Sequence, residues 1–161
     1  MAYKHFIITR FWEDFDNSDP YNWIESRVNL FNSIYLRGIN NQTIDTFENI
    51  FLISKKFINY DFSKFNFHKV KHQKVVSEEF YRNPSIILSN SDMKLDYIIT
   101  SRVDSDDLIS QRYVENIQKY QSNNLITDHE HYMMLDPSFL KYELKVGVEG
   151  PCSSMFVSTF L

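Results

Sequence analysis

Three short runs of almost unbroken apolar residues punctuate the chain: His5-Phe6-Ile7-Ile8-Thr9, Ile50-Phe51-Leu52-Ile53 and Tyr97-Ile98-Ile99-Thr100-Ser101. They lack the alternation of a half-solvated strand and fit strands covered on both faces, as in a parallel sheet. Between the first two runs, Trp23, Ile24, Val28, Leu30, Phe31, Ile34 and Tyr35 recur at helical spacing. Asp19-Pro20 precedes them and offers an N-cap followed by proline at the first helical position. The pattern predicts one helix that ends at Gly38. A polar loop, Asn40-Asn41-Gln42-Thr43, then leads to the second strand, bounded by Asn49 and Ser54. Strand, helix, strand over the first 54 residues is the unit of a parallel sheet with a right-handed crossover.

From Lys55 to Met93 the phenylalanines Phe57, Phe62, Phe65 and Phe67 mix with Lys and Asn without a clean period. Loops are expected there, with one short strand near Phe67-Val70 and a helix near Ser77-Tyr81. The third apolar run leads straight into Arg102-Val103-Asp104-Ser105-Asp106-Asp107, so an acidic cluster sits at a strand's carboxyl end. Leu108, Tyr113, Val114, Ile117 and Tyr120 then mark a helix from about Ser110 to Gln121. Leu125-Thr127, Tyr132-Leu135, Tyr142-Val146 and Met155-Val157 read as further short strands, and no internal repeat is visible.

The chain has 161 residues, 43% hydrophobic and 24% charged, enough for one domain with a sizeable core. Three glycines exclude a glycine-rich phosphate loop, so any phosphate site must use other chemistry. A net charge of -4, with Lys and Arg spread along the chain, argues against nucleic acid as a partner. One cysteine, Cys152, excludes an internal disulfide and suits a reducing compartment. No apolar run reaches the roughly 18 residues of a membrane span, and the start of the chain does not read as a signal peptide. The expectation is a cytoplasmic protein.

Chemistry concentrates in the acidic cluster. In open α/β sheets ligands bind outside the carboxyl ends of the strands, where strand order reverses. Asp104 and Asp106, one residue apart, can both reach one hard cation that keeps open positions for phosphates. On spacing alone, however, the stronger reading is that Asp106 or Asp107 caps the helix starting near Leu108.

A set of segments changes that balance. Thr9-Arg10-Phe11, then Trp23-Ile24 with Arg27, Leu30-Phe31, Gln42-Thr43 and Phe47, then Thr100 to Asp107, together resemble the rhamnosyltransferase family of GT-A glycosyltransferases. They are also similar to the free-standing glycosyltransferase domain of large algal viruses. The resemblance runs discontinuously over roughly residues 5 to 120. It implies an α/β, GT-A-like nucleotide-diphospho-sugar transferase fold, with a mostly parallel central sheet flanked by helices. Residues 1–161 would form one such domain, lacking part of the C-terminal acceptor region. It further implies an Asp-x-Asp site for Mn2+ or Mg2+ on the diphosphate of a UDP-, dTDP- or GDP-linked sugar. Carried over by position, Asp106 is a metal ligand, Asp104 lies near the ribose or metal, and Asp107 is a supporting or capping carboxylate. Thr9 and Arg10 match a nucleotide-facing strand end, Arg27 could reach the diphosphate or pair with the aspartates, and Arg102 could contact the nucleotide or neutralise its acidic neighbours.

An inverting transfer to a glycan hydroxyl also needs a general base. Asp128, Glu130 and Glu149 are the candidates, with Glu149 favoured because Gly147-Val148-Glu149-Gly150-Pro151 reads as a loop, where site residues concentrate. The alternative is a non-catalytic module that recognises a glycan or a protein on a degenerate scaffold, since only about 40 residues follow Gln121 to build an acceptor side. His68 with His72, and His129 with His131, lack a third zinc ligand at suitable spacing, and Cys152 lacks a neighbouring base. Lys55, Lys56, Lys64, Lys69, Lys71 and Lys74 read as the solvated side of an aromatic core, with stacking on single-stranded nucleic acid or peripheral contact to an anionic membrane as the other uses.

Overall fold

A computed structural model of the chain describes residues 2–12, 20–67, 70–88, 95–119, 126–127, 131–136, 141–146 and 158–160. The elements run β1 (Tyr3–Trp12), α1 (Pro20–Ser33), α2 (Tyr35–Asn40), β2 (Glu48–Ile53), β3 (Lys71–Val76), α3 (Ser77–Arg82), β4 (Tyr97–Arg102) and α4 (Tyr113–Lys119). Then come β5 (Ile126–Thr127), β6 (His131–Asp136), β7 (Lys141–Val146) and β8 (Ser158–Phe160), while 3-10 turns occupy Lys55–Phe57, Phe62–Lys64 and Pro84–Ile87.

The main sheet has the order β3-β2-β1-β4-β8-β5. β3, β2, β1 and β4 are mutually parallel, and β8 runs antiparallel to both β4 and β5. β6 and β7 form a separate antiparallel pair. This is an α/β fold, with helices flanking a parallel sheet and consistent with a GT-A-like domain.

The apolar runs are continuous because both faces of the sheet are covered. On one face Ile7 and Phe11 of β1, Phe51 and Ile53 of β2, and Ile99 of β4 pack against Val28 and Phe31 of α1, Tyr35 and Leu36 of α2, and Val114 and Ile117 of α4. The alternate residues Phe6, Ile50, Leu52 and Val75 form a second core with Ile87, against which Phe80 of α3 packs. Phe31 is a hub of the first core, 4.7 Å from the ring of Phe11, 5.0 Å from Phe65 and stacked on Tyr35 at 4.7 Å. Such ring pairs add to what area burial alone contributes.

Three expectations need correction. The helix does not run unbroken to Gly38: it breaks at Ile34, just after Ser33, whose Oγ donates to the carbonyls of Asn29 and Leu30. Gly38 lies inside α2, not at its end, and is set against Ile109. The strand expected near Phe67-Val70 is β3, four residues later than its expected start. Phe67 packs against the core from a loop, whereas β3 is an edge strand whose Lys71 and His72 are exposed, so its sequence lacks an apolar signature. α4 starts at Tyr113, later than Ser110. The Met155-Val157 strand lies outside the described residues.

A buried polar network fastens α4 to the sheet. Gln118 accepts at Oε1 from Tyr3 Oη (2.9 Å) and Thr46 Oγ1 (3.2 Å), and donates from Nε2 to the Thr46 carbonyl (3.1 Å). That orientation leaves Nε2 donating to His5 Nδ1 (3.3 Å), so His5 carries its proton on Nε2 and donates to Ser101 Oγ (2.8 Å). His5 is fully buried, and burial pushes its pKa down to about 3.

Candidate functional site

The chain leaves β1 for β2 and β3 on one side and returns to β4 on the other, so strand order reverses between β1 and β4. Ligands of open α/β sheets bind outside the carboxyl ends at such a reversal. β1 ends there in Arg10-Phe11-Trp12 and β4 in Arg102, opposite Ile8. The ladder continues one step further, with Val103 N donating to the Ile8 carbonyl at 3.1 Å, and fixes the point from which the acidic turn departs.

The turn closes on itself. Asp107 N donates to the Asp104 carbonyl (3.1 Å), and the Asp107 carboxylate accepts from Asp104 N (3.3 Å). Burial, then the charges of Asp104 and Asp106, raise the Asp107 pKa to about 6. Since α4 begins only at Tyr113, neither Asp106 nor Asp107 caps it. That task falls to Gln42: its Oε1 accepts from Val114 N (3.0 Å), while its Nε2 donates to the carbonyls of Gly38 (2.9 Å) and Ser110 (2.7 Å). Gln42 thus clasps the end of α2 to the start of α4, and Thr43 N adds a bond to the Gln111 carbonyl (2.9 Å).

Three guanidiniums pair with two of the turn's three carboxylates, Asp104 and Asp106. Arg10 Nη2 lies 3.4 Å and Arg102 Nε 3.8 Å from Asp104 Oδ1. From α1, Arg27 donates to Asp106 Oδ2 at 3.1 Å and to Ser105 Oγ at 2.9 Å. Arg102 Nε is buried and, among the described residues, has no hydrogen-bond acceptor. Asp104, Asp106, Arg10, Arg27 and Arg102 therefore lie together at the reversal point.

Thr9 does not face this cluster. It is fully buried, with Oγ1 2.6 Å from Tyr35 Oη, which also donates to Asn49 Oδ1 at 3.2 Å. A side chain at that position alternates with Arg10 and points to the helix-covered face, so Thr9 anchors the core rather than a nucleotide. Burial also raises the Tyr35 hydroxyl well above its ordinary pKa. Glu149, Asp128, Glu130, Cys152, His68 and His129 lie outside the described residues. His72 sits on a strand, stacked on Phe67 at 3.9 Å. Of the lysine stretch, Lys74 donates to the carbonyls of Ile58 and Tyr60, and Lys64 pairs with Glu25.

Among the described residues, no three His, Cys, Asp or Glu side chains form a self-sufficient metal centre. Asp104 and Asp106 supply only two carboxylates, so a hard cation held there would need to take most of its oxygen ligands from a bound molecule and water. Among the described residues, no helix is long and apolar enough to cross a membrane.

This α/β protein gathers arginines and aspartates at the switch point of its sheet, the place where ligands of open α/β sheets bind. Residues 19–134 match the family described as putative rhamnosyl transferase, and the chain belongs to that family. No curated protein and no solved structure matches. The matched segment includes α1 with Arg27, β4 and the whole acidic turn.

Sequence reasoning missed Gln42, Tyr35 and Asn49 as organisers. Gln42 stands out in the sequence only as part of the family resemblance, within a polar loop and without a structural role, and Tyr35 reads as one more apolar position. Nothing in the linear pattern pairs either with partners so distant in the chain.

Proposed function

We propose that the chain is a metal-dependent glycosyltransferase of the GT-A type that moves a sugar from a nucleoside-diphosphate donor to a glycan hydroxyl with inversion. The family description points to rhamnose as the sugar. The observation that carries the reading is the meeting of Asp104 and Asp106 with Arg10, Arg27 and Arg102 at the β1/β4 switch point.

Charge accounting supports it. Three guanidiniums against three carboxylates leave the fully ionised cluster near neutral, unable by itself to offset the two charges of a diphospho-sugar. A divalent cation held by Asp104 and Asp106 would supply that balance and polarise the diphosphate as a leaving group. Arg102, whose buried Nε has no hydrogen-bond acceptor among the described residues, is suited to bind a phosphate oxygen, with Arg10 beside it.

In the transfer, the acceptor oxygen attacks the anomeric carbon and the carbon–oxygen bond to the β-phosphate breaks. The bonding pair leaves on the phosphate, and the hydroxyl proton passes to a base. Arginines aimed at that phosphate stabilise negative charge where it develops. Glu149 is the proposed base, and Asp107 holds the turn in shape from its bond to Asp104 N. Incubating the protein with UDP-, dTDP- and GDP-sugars plus Mn2+ tests the reading: slow, metal-dependent release of nucleotide is expected. Nucleotide binding without release would favour a non-catalytic module.

A further inference from the structure

The acidic turn is fastened differently at its two ends. At its start Val103 is fully buried and its N–H donates to the Ile8 carbonyl, so the sheet fixes that end. At its finish Ile109 is buried and lies against Gly38 of α2, but no helix begins until Tyr113. The stretch between is held by Gln42 and Thr43, just past α2. Gln42 Nε2 donates to the Ser110 carbonyl and its Oε1 accepts from Val114 N, while the Thr43 N–H donates to the Gln111 carbonyl. Thr43 Oγ1 adds a bond to Glu115 Oε2 at 3.0 Å. Residues 104–108, between the two fastenings, include both carboxylates assigned to the cation.

Resting on the reading of the turn as a cation site, we infer that Gln42 is a positioning residue for that site. By pinning the segment behind the turn to α2, it keeps Asp104 and Asp106 in the arrangement that a cation meets. A segment fixed at both ends samples far fewer shapes than one fixed at a single end. Carboxylates that hold their binding arrangement only part of the time bind more weakly in proportion to that fraction. The side-chain bonds of Gln42 go to main-chain atoms of Gly38, Ser110 and Val114, so its effect passes to the carboxylates through the backbone.

The test pairs Gln42→Met, which keeps the length of the side chain and removes its hydrogen bonds, with Gln118→Met, which releases Tyr3, Thr46 and His5 at the other end of α4. In the ligand-free full chain, NMR reads the amide exchange of Asp107, whose N–H donates to the Asp104 carbonyl. Exchange should quicken about fivefold or more in Gln42→Met, the weight of about one net hydrogen bond, and stay within about twofold of wild type in Gln118→Met. Calorimetry of UDP, dTDP and GDP in Mn2+ should show a matching loss of about fivefold in Gln42→Met alone. Should Gln42→Met fail to fold, Gln42→Glu carries the test, because it keeps the acceptor for Val114 N and loses the donor to Gly38 and Ser110. Its added negative charge favours a cation, so a loss of affinity there cannot be electrostatic. Asp107 exchange that is unchanged, or quickened equally by Gln118→Met, overturns the proposal while the cation reading stands. So does quickened exchange with undiminished affinity in a protein whose wild type gains from Mn2+. Wild type that gains no nucleotide affinity from Mn2+ overturns the cation reading, and the role of Gln42 in binding with it, whatever the exchange shows.

Discussion

Replacing Gly38 by alanine separates two roles of that residue, helix breaker and spacer. In an open helix the change stabilises by about 1 kcal/mol, because alanine loses less backbone freedom on folding. Here a Cβ would lie 3.1 Å from Ile109 Cγ1, 3.2 Å from Ile109 N and 3.3 Å from Ile109 O. Comfortable contacts between carbons begin near 3.5 Å. Cγ1 can rotate aside, but the two backbone atoms can retreat only if the loop moves. That loop is tied to Gln42 through Ser110 O and Val114 N, and to Thr43 through Gln111 O. Overpacking of this kind costs about 1–3 kcal/mol, so the net effect of Gly38→Ala is a loss of about 1 kcal/mol. The same loop starts at the acidic turn, so nucleotide affinity should fall as well. Urea unfolding monitored by fluorescence, at constant slope, measures the first effect. A variant more stable than wild type by about 1 kcal/mol would refute the spacer argument.

Other consequences follow from the buried groups. His5 stays neutral in the folded protein, so below its ordinary pKa of 6.5 the unfolded chain takes up a proton that the folded chain refuses. Stability is full above about pH 6.5 and this one group should remove about 3 kcal/mol between pH 6.5 and 4.5; an NMR titration in which the His5 ring ionises near 6.5 would contradict it. Asp107 works the other way, because its raised pKa makes its ionised form costly, so its contribution is lost as pH rises from about 4 through about 6. Asp107→Asn keeps the acceptor for Asp104 N and should stabilise the ligand-free protein at pH 8 by about 1–2 kcal/mol, after discounting for partial exposure. The gain should vanish at pH 4; a gain independent of pH would sink the assignment. Tyr35→Phe removes the hydroxyl shared by Thr9 and Asn49 and should cost about 1–3 kcal/mol, read by thermal unfolding; a neutral result would mean that the network contributes nothing.

The central strands were legible because burial on both faces leaves a long apolar run, and β1, β2 and β4 carry it. β3 was displaced because an edge strand rich in Lys and Gln has no such run. Gly38 was misjudged for a related reason: its need is a close approach of Ile109, more than 70 residues away, and local spacing cannot register that. The aspartates stood out from their place at the end of an apolar run, and Arg10, Arg27 and Arg102 from family resemblance. Thr9 was misplaced because one step along a strand turns a side chain to the opposite face, which a motif does not record.

The most direct measurement is calorimetric titration of UDP, dTDP and GDP into the full chain, with and without Mn2+, for wild type and Asp106→Ala. One of the three nucleotides should bind wild type far better with Mn2+, and Asp106→Ala should abolish that gain while its thermal unfolding stays within a few degrees of wild type. Affinity that is indifferent to Mn2+, or a gain that survives loss of the Asp106 carboxylate, would contradict the account.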